Sequence, residues 1–239
     1  METGYSISQR IWKQATNRAL VGIDKFVNLI RDQGHGKFVE QAMLQGFSLY
    51  DMQPFAGKVM IDLPFQGVRG FRGGHYFGES VDGATRECFG LLFLTDFLDN
   101  PYLYECQWSQ GYPSTGKMIK IENNQWIHYE GTFDRDFQLV GNGKSWNQQG
   151  GKYEGWWRQG KFHGQGKYTW ADGMSQQGQW KDDKLQGYGK ITYQNGSYLT
   201  GDYKNGLPDG IHLAFAKDND PIESRTYNQG ILIKEPMRL

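Results

Sequence analysis

The chain has 239 residues, with 26 basic and 26 acidic side chains and a formal charge of zero. That length supports an ordinary apolar core, and the charge balance excludes a globally electrostatic nucleic-acid binder, which needs a basic face. The composition is skewed to 33 Gly, 8 Trp, 14 Tyr and 14 Phe. Such a mixture favours short strands joined by glycine-containing turns and excludes a disordered chain, which would lack the aromatics.

Residues 1–40 read as an amphipathic helix and linker. Trp12, Ala15, Ala19, Ile23, Phe26 and Ile30 recur at helical spacing. Ser6 or Ser8 can cap the start and Gly34 can end the helix. The other face carries Arg10, Lys13, Arg18, Lys25 and Arg31 against Asp24. A basic amphipathic helix can lie on an acidic phospholipid surface or in a partner's groove; alternatively its apolar stripe packs across a sheet. Gly34-His-Gly-Lys37 lacks the first glycine and the Ser/Thr of a phosphate loop, so it reads as a surface turn. Met1–Arg10 is polar with no apolar segment after it, so no secretory signal is expected. No apolar stretch approaches the roughly 20 residues of a spanning helix.

Residues 41–103 read as degenerate hairpins or a small β-subdomain. Phe47–Asp51 and Lys58–Leu63 flank Gln53-Pro-Phe-Ala-Gly57, a hairpin signature. Tyr76-Phe-Gly78 followed by Gly83 starts a second hairpin, with Cys88–Leu94 as its return strand. Gly67–Gly74 reads as a loop, and with Arg69 and Arg72 it is a candidate anion nest.

Residues 104–239 form a tandem array. Its clearest stretch is Tyr153-Glu-Gly-Trp-Trp-Arg-Gln-Gly-Lys-Phe-His-Gly-Gln-Gly-Lys-Tyr-Thr-Trp-Ala-Asp-Gly173. The aromatics Trp108, Phe133, Trp157, Trp180, Tyr203 and Tyr227 recur at spacings of 25, 24, 23, 23 and 24 residues. Tyr153, Gly155 and Trp157 alternate on one strand face; Gly164, Gly166 and Tyr168 alternate on the return strand. The bare strand glycines make sense where a neighbour's ring lies flat over the backbone. One hairpin is marginal in water, so the array is stable only as a stack. Asp136 stands where a turn glycine belongs and His212 where a strand glycine belongs; the first two repeats also carry a one-residue insertion in the turn, where irregular register and local bulges are expected.

These residues resemble the MORN repeat, which runs roughly Tyr-x-Gly-x-Trp-x-x-Gly-x-x-His-Gly-x-Gly. Tyr153, Gly155, Trp157, Gly160, His163, Gly164 and Gly166 fill those places. The expected fold is mostly β, an elongated meander of tandem β-hairpin repeats with an N-terminal amphipathic helix. The resemblance implies a non-catalytic scaffold or accessory subunit that binds other protein subunits. Trp146, Trp156 and Phe162 are candidate partner anchors, as exposed rings. The alternative is an acidic-phospholipid-binding module using Arg10, Lys13, Arg18, Arg69 and Arg72. An intracellular location is expected, whether cytoplasmic, cytoskeletal or at an organellar membrane. Open sheet edges leave a homodimer by edge pairing as a further option.

Catalytic, metal and cofactor sites are expected to be absent. His35, His75, His128, His163 and His212 are scattered, with no metal spacing to Cys or Glu. Asp182, Asp183, Asp218 and Asp220 fall in turns without a calcium-loop pattern. Cys88 and Cys106 lie in apolar strand contexts, where cysteine acts as a small hydrophobe.

Overall fold

A computed structural model describes residues 23–49, 59–67 and 70–238. Arg10, Lys13, Arg18 and Arg69 lie outside the described residues, as do the proposed helix caps Ser6 and Ser8. Among the described residues, fifteen strands lie in the order of the sequence, each bonded to its neighbour in the chain. This is the hairpin meander the repeats predict, with helix only at its N-terminal side. The chain divides into two compact units, one reaching His128 and including Arg135–Phe137, the other holding Tyr129–Asp134 and residues from Gln138 onward.

The first described element of the first unit is helix α1, described over residues 23–30, which buries Ile23, Phe26, Val27 and Ile30. Gly34 does break the helix, because its φ of 89° lies in the left-handed region that glycine enters without strain. The expected surface turn does not follow, however. Helix resumes as α2, Gly36–Leu44, because Phe38, Val39 and Ala42 supply a second apolar stripe. Both stripes pack on Phe77, Leu91, Phe93, Leu103 and Ile119, which share one face of the sheet.

That sheet face belongs to β1 (Val59–Gln66), β2 (Phe71–Ser80), β3 (Cys88–Asp96), β4 (Pro101–Ser109) and β5 (Tyr112–Glu122). Two expectations need correction here. Phe47 and Leu49 form no strand and are buried under the helices, while the rest of the expected first strand, Tyr50 and Asp51, lies outside the described residues; among the described residues β1 pairs with β2, from Val59↔Ser80 to Gln66↔Gly73. Gly67–Gly74 is not a loop throughout, since Phe71–Gly74 is already strand β2. Among the described residues the first strand is β1, from Val59. The opposite face of these strands holds Tyr76, Tyr104 and Trp108, with Phe137 edge-on to Tyr104 at 5.6 Å. Burial on both faces explains why Phe89–Leu94 reads as an unbroken apolar run.

The second unit continues through β6 (Gln125–Phe133), β7 (Leu139–Asn147), β8 (Lys152–Arg158), β9 (Lys161–Thr169), β10 (Ser175–Lys181), β11 (Lys184–Thr192), β12 (Tyr198–Lys204), β13 (Leu207–Phe215), β14 (Pro221–Asn228) and β15 (Ile231–Arg238). The tight turns within repeats hold both central residues at positive φ, as Gln159 (52°) and Gly160 (71°) show. This is the type I′ geometry that matches strand twist. The strand glycines pair with one another across the sheet: Gly143↔Gly155, Gly155↔Gly166, Gly166↔Gly178, Gly178↔Gly189 and Gly189↔Gly201. A Cβ added at Gly155 or Gly166 would fall within 3.0 Å of the Tyr153 side chain, and one at Gly189 within 3.0 Å of Leu185. Side chains lie directly on bare backbone, as the sequence pattern predicts.

Bulges follow the strand glycines at Gly155/Trp156, Gly178/Trp180 and Gly201/Tyr203. They are thus a regular part of the clean repeats as well as the irregular ones. Backbone bonds then tie each tight turn to the preceding repeat: Gly160 N to Leu139 O, Asp183 N to Phe162 O, Gly206 N to Leu185 O and Gly230 N to Pro208 O. The Trp180 indole adds a bond of 2.9 Å to Gly166 O, as Trp108 does to Gly90 O.

Two glycine substitutions should move stability in opposite directions. Gly166→Ala forces a methyl into Tyr153 and should lower unfolding free energy by about 1–3 kcal/mol. Gly36→Ala, at a helical φ of −57° with its nearest neighbour 3.9 Å away, should raise it by up to about 1 kcal/mol. Urea titration of the two variants checks both; equal midpoints would contradict the packing argument.

Candidate functional site

Each strand has two faces, and the second unit uses them differently. One face holds the ring row: Tyr153, Trp157, Trp180, Leu185, Tyr203 and His212 are all buried. Tyr153 stacks on Phe162 with centroids 3.7 Å apart and meets Trp157 and Trp180 edge-on. Burial raises the Tyr153 hydroxyl's pKa above its ordinary value, so it stays protonated and donates to Trp156 O at 3.1 Å. This row is a core.

The other face is the candidate site. Cross-strand register aligns Lys144↔Glu154, Glu154↔Lys167, Lys167↔Gln177, Gln177↔Lys190, Lys190↔Thr200 and Thr200↔Leu213 in a single row. Lys144 and Glu154 pair at 3.3 Å, while the Lys190 ammonium sits 3.6 Å from the Tyr198 ring centroid. Beside this row stand large exposed apolar side chains: Trp156 (52%), Tyr188 (64%) and Ile211 (67%). At its β6–β8 end a depression of about 400 Å³ opens over Gly131, Gly143 and Gly155, walled by Glu130, Asn142, Lys144 and Glu154.

The expected site residues are placed as follows. Trp156 is exposed on this face. Trp146 lies on the same face, opposite Lys152, and is half-buried. Phe162 is half-buried in the ring row against Tyr153, so it is not the exposed anchor its sequence position suggested. Arg72 donates to Phe97 O at 2.6 Å and faces Asp99 at 3.9 Å. Sequence reasoning missed the lysine row, although its signal was present: Gly116-Lys117, Gly143-Lys144, Gly166-Lys167 and Gly189-Lys190 repeat one dipeptide on successive return strands.

In the first unit the corresponding Lys117 is occupied. It donates to Gly46 O just past α2, pairs with Glu105 at 3.3 Å, and lies over the Phe47 ring at 4.9 Å. Glu105 accepts the Ser48 backbone N–H at 2.7 Å. His128 packs beside Phe47, with centroids 5.2 Å apart. Together these side chains clamp the segment leaving α2 onto the sheet.

A meander of hairpins whose glycines lie under aromatic side chains defines a tandem β-hairpin repeat protein. The MORN repeat family matches residues 153–175 and 177–198. Residues 153–198 carry MORN repeats, and the hairpin meander is consistent with a MORN repeat protein. Such repeats generally take part in protein or membrane-lipid interactions, and the fold is typically non-catalytic. No curated protein matches the chain. Among the described residues no helix is long and apolar enough to cross a membrane, and no three metal-binding side chains converge.

The buried histidines give the fold a pH dependence. Burial, with a smaller push from Lys117, lowers His128 to about 4, and burial lowers His212 as well. Below the ordinary histidine pKa of about 6.5 the unfolded chain takes up protons that the folded chain refuses. Stability should therefore be full above about pH 6.5 and fall as pH drops toward about 4. Urea midpoints at descending pH measure this, and the double variant His128→Gln/His212→Gln should show a shallower fall. An unchanged slope in that variant would assign the acid sensitivity elsewhere.

Proposed function

We propose that the chain is a non-catalytic scaffold or accessory subunit that binds partner proteins through the exposed face of its repeats. The observation that carries this reading is Trp156, a tryptophan 52% exposed on a sheet face whose counterpart in the first unit is covered by helices. An exposed indole among ordered strands is costly to leave in water and is the residue type that dominates binding energies at interfaces. Tyr188 and Ile211 are further exposed apolar side chains on that face.

The membrane reading is less supported at the helix. The apolar stripe of α1 is already spent on the sheet, and Lys25 pairs with Asp62 at 3.2 Å. An amphipathic helix needs its apolar stripe to enter a lipid interface. Arg72 is likewise engaged within the first unit.

Affinity capture with the full chain from native cells, followed by binding measurements with the purified partner, tests the reading. A direct protein partner is expected, and Trp156→Ala should weaken it by about 2 kcal/mol, roughly thirtyfold. Capture of no protein above background, alongside salt-sensitive sedimentation with anionic liposomes, would replace the scaffold by a lipid-binding module.

A further inference from the structure

The same dipeptide, Gly-Lys, stands on four return strands, at 116–117 in β5, 143–144 in β7, 166–167 in β9 and 189–190 in β11. Its carboxylate counterpart recurs too: Tyr104-Glu105 faces Lys117 across β4 and β5, and Tyr153-Glu154 faces Lys144 and Lys167 across β7, β8 and β9. In the first unit the structure shows what this pair does. Lys117 donates to a carbonyl at the C-terminal end of a helix, Glu105 accepts an N–H two residues further on, and the Phe47 ring fills the space beneath. The helices themselves lie across that face.

We propose that Lys144, Lys167 and Lys190 dock a helix of a partner protein whose acidic side faces the lysine row and whose apolar side rests on Trp156 and Tyr188. The inference rests on the scaffold reading above and specifies the kind of partner. Spacing supports it. The three lysines are on alternate strands, so successive ammonium groups are about 10 Å apart across the sheet. Seven residues of α-helix rise about 10.5 Å, so carboxylates spaced seven residues apart on a helix crossing the strands would meet each lysine in turn.

The sign of the row supports it too. Glu154 separates Lys144 from Lys167, but between Lys167 and Lys190 stands the neutral Gln177, and beyond Lys190 stands Thr200. The row is thus net positive at β9–β11, and complementary charge selects an acidic partner. The chain's own residues 1–22 are unsuited, because Arg10, Lys13 and Arg18 outnumber Glu2. Apolar side chains lie on the same face: Trp156 and Tyr188 are among the most exposed rings of the described residues.

The test uses the full chain and a fluorescent synthetic helix of about 21 residues, with glutamate at every seventh position and leucines flanking each glutamate. Anisotropy should show saturable binding that weakens with added salt. A matched peptide with lysine at those positions should not bind. The triple variant Lys144→Glu/Lys167→Glu/Lys190→Glu should weaken binding of the acidic peptide by about tenfold or more. Because new carboxylates beside Glu154 can strain the sheet, the triple glutamine variant is measured in parallel and should weaken binding in the same direction. Equal binding of the two peptides, or undiminished binding by the glutamine variant, would overturn the inference. So would lysine-dependent binding to vesicles of phosphatidylserine and phosphatidylcholine without binding of the peptide. A native partner captured equally by the wild-type chain and the glutamine variant would also overturn it, while leaving the scaffold reading intact.

Discussion

Side chains lying flat on glycine backbone are the contact on which the rest of the second unit depends. A sheet in which Gly143, Gly155, Gly166, Gly178, Gly189 and Gly201 sit in one transverse row has no side chains of its own there. Such a row would be weak in isolation. Tyr153 covers Gly155 and Gly166, and Leu185 covers Gly178 and Gly189. Each cover reaches across a strand pair, so no hairpin owns its core, which is why the repeats need one another. The backbone bonds from each tight turn to the preceding repeat add a second coupling of the same kind. Together they make stability a property of neighbouring pairs.

This arrangement leaves the two faces unequal. The glycine side is closed by rings and leucines that pack edge to edge, so it offers little to a partner. The opposite side has a full complement of outward side chains. In the first unit they are Phe77, Leu91, Phe93, Leu103 and Ile119, and helices cover them. In the second unit the side opposite the glycines' covering rings carries lysines, Glu154, Trp156 and Tyr188. The sequence of each strand thus decides whether its outer face is finished within the chain or left for a partner.

Much of this was legible because the repeat has a strong period and few alternatives. Aromatics near 23-residue spacing with intervening glycines identify hairpins, and the strand-versus-turn role of Tyr153–Gly173 follows from alternation. What failed to show was whatever depends on contacts distant in sequence. Phe47 and Leu49 look like strand residues locally, but they are buried beneath helices that lie across other strands. The resumption of helix at Gly36 was hidden by two glycines that normally end helices, and only the sheet contacts of Phe38, Val39 and Ala42 explain it. Phe162 and Trp156 are both large rings in one repeat. Alternation within each strand separates them, with Trp156 on the face opposite Gly155 and Phe162 on the face of Gly164 and Gly166, and the two-residue shift after Gly155 leaves those faces unchanged.

His212 shows how the ladder ends. It pairs with Gly201 at the place where a further glycine would continue the row, and a Cβ on Gly201 would collide with its imidazole. The ring therefore does from within the row what Tyr153 does from beside it: it covers the neighbouring glycine directly. It also meets Tyr203 and Tyr227 edge-on, at 5.1 and 5.2 Å, joining the last two anchoring aromatics. A buried side chain in a glycine slot leaves no bare backbone for another ring to cover. The repeat loses its sequence signature at β13 for that reason, although the strands continue. The substitution that makes the last repeats hard to recognise is the one that closes their core, and it makes that closure depend on a neutral imidazole.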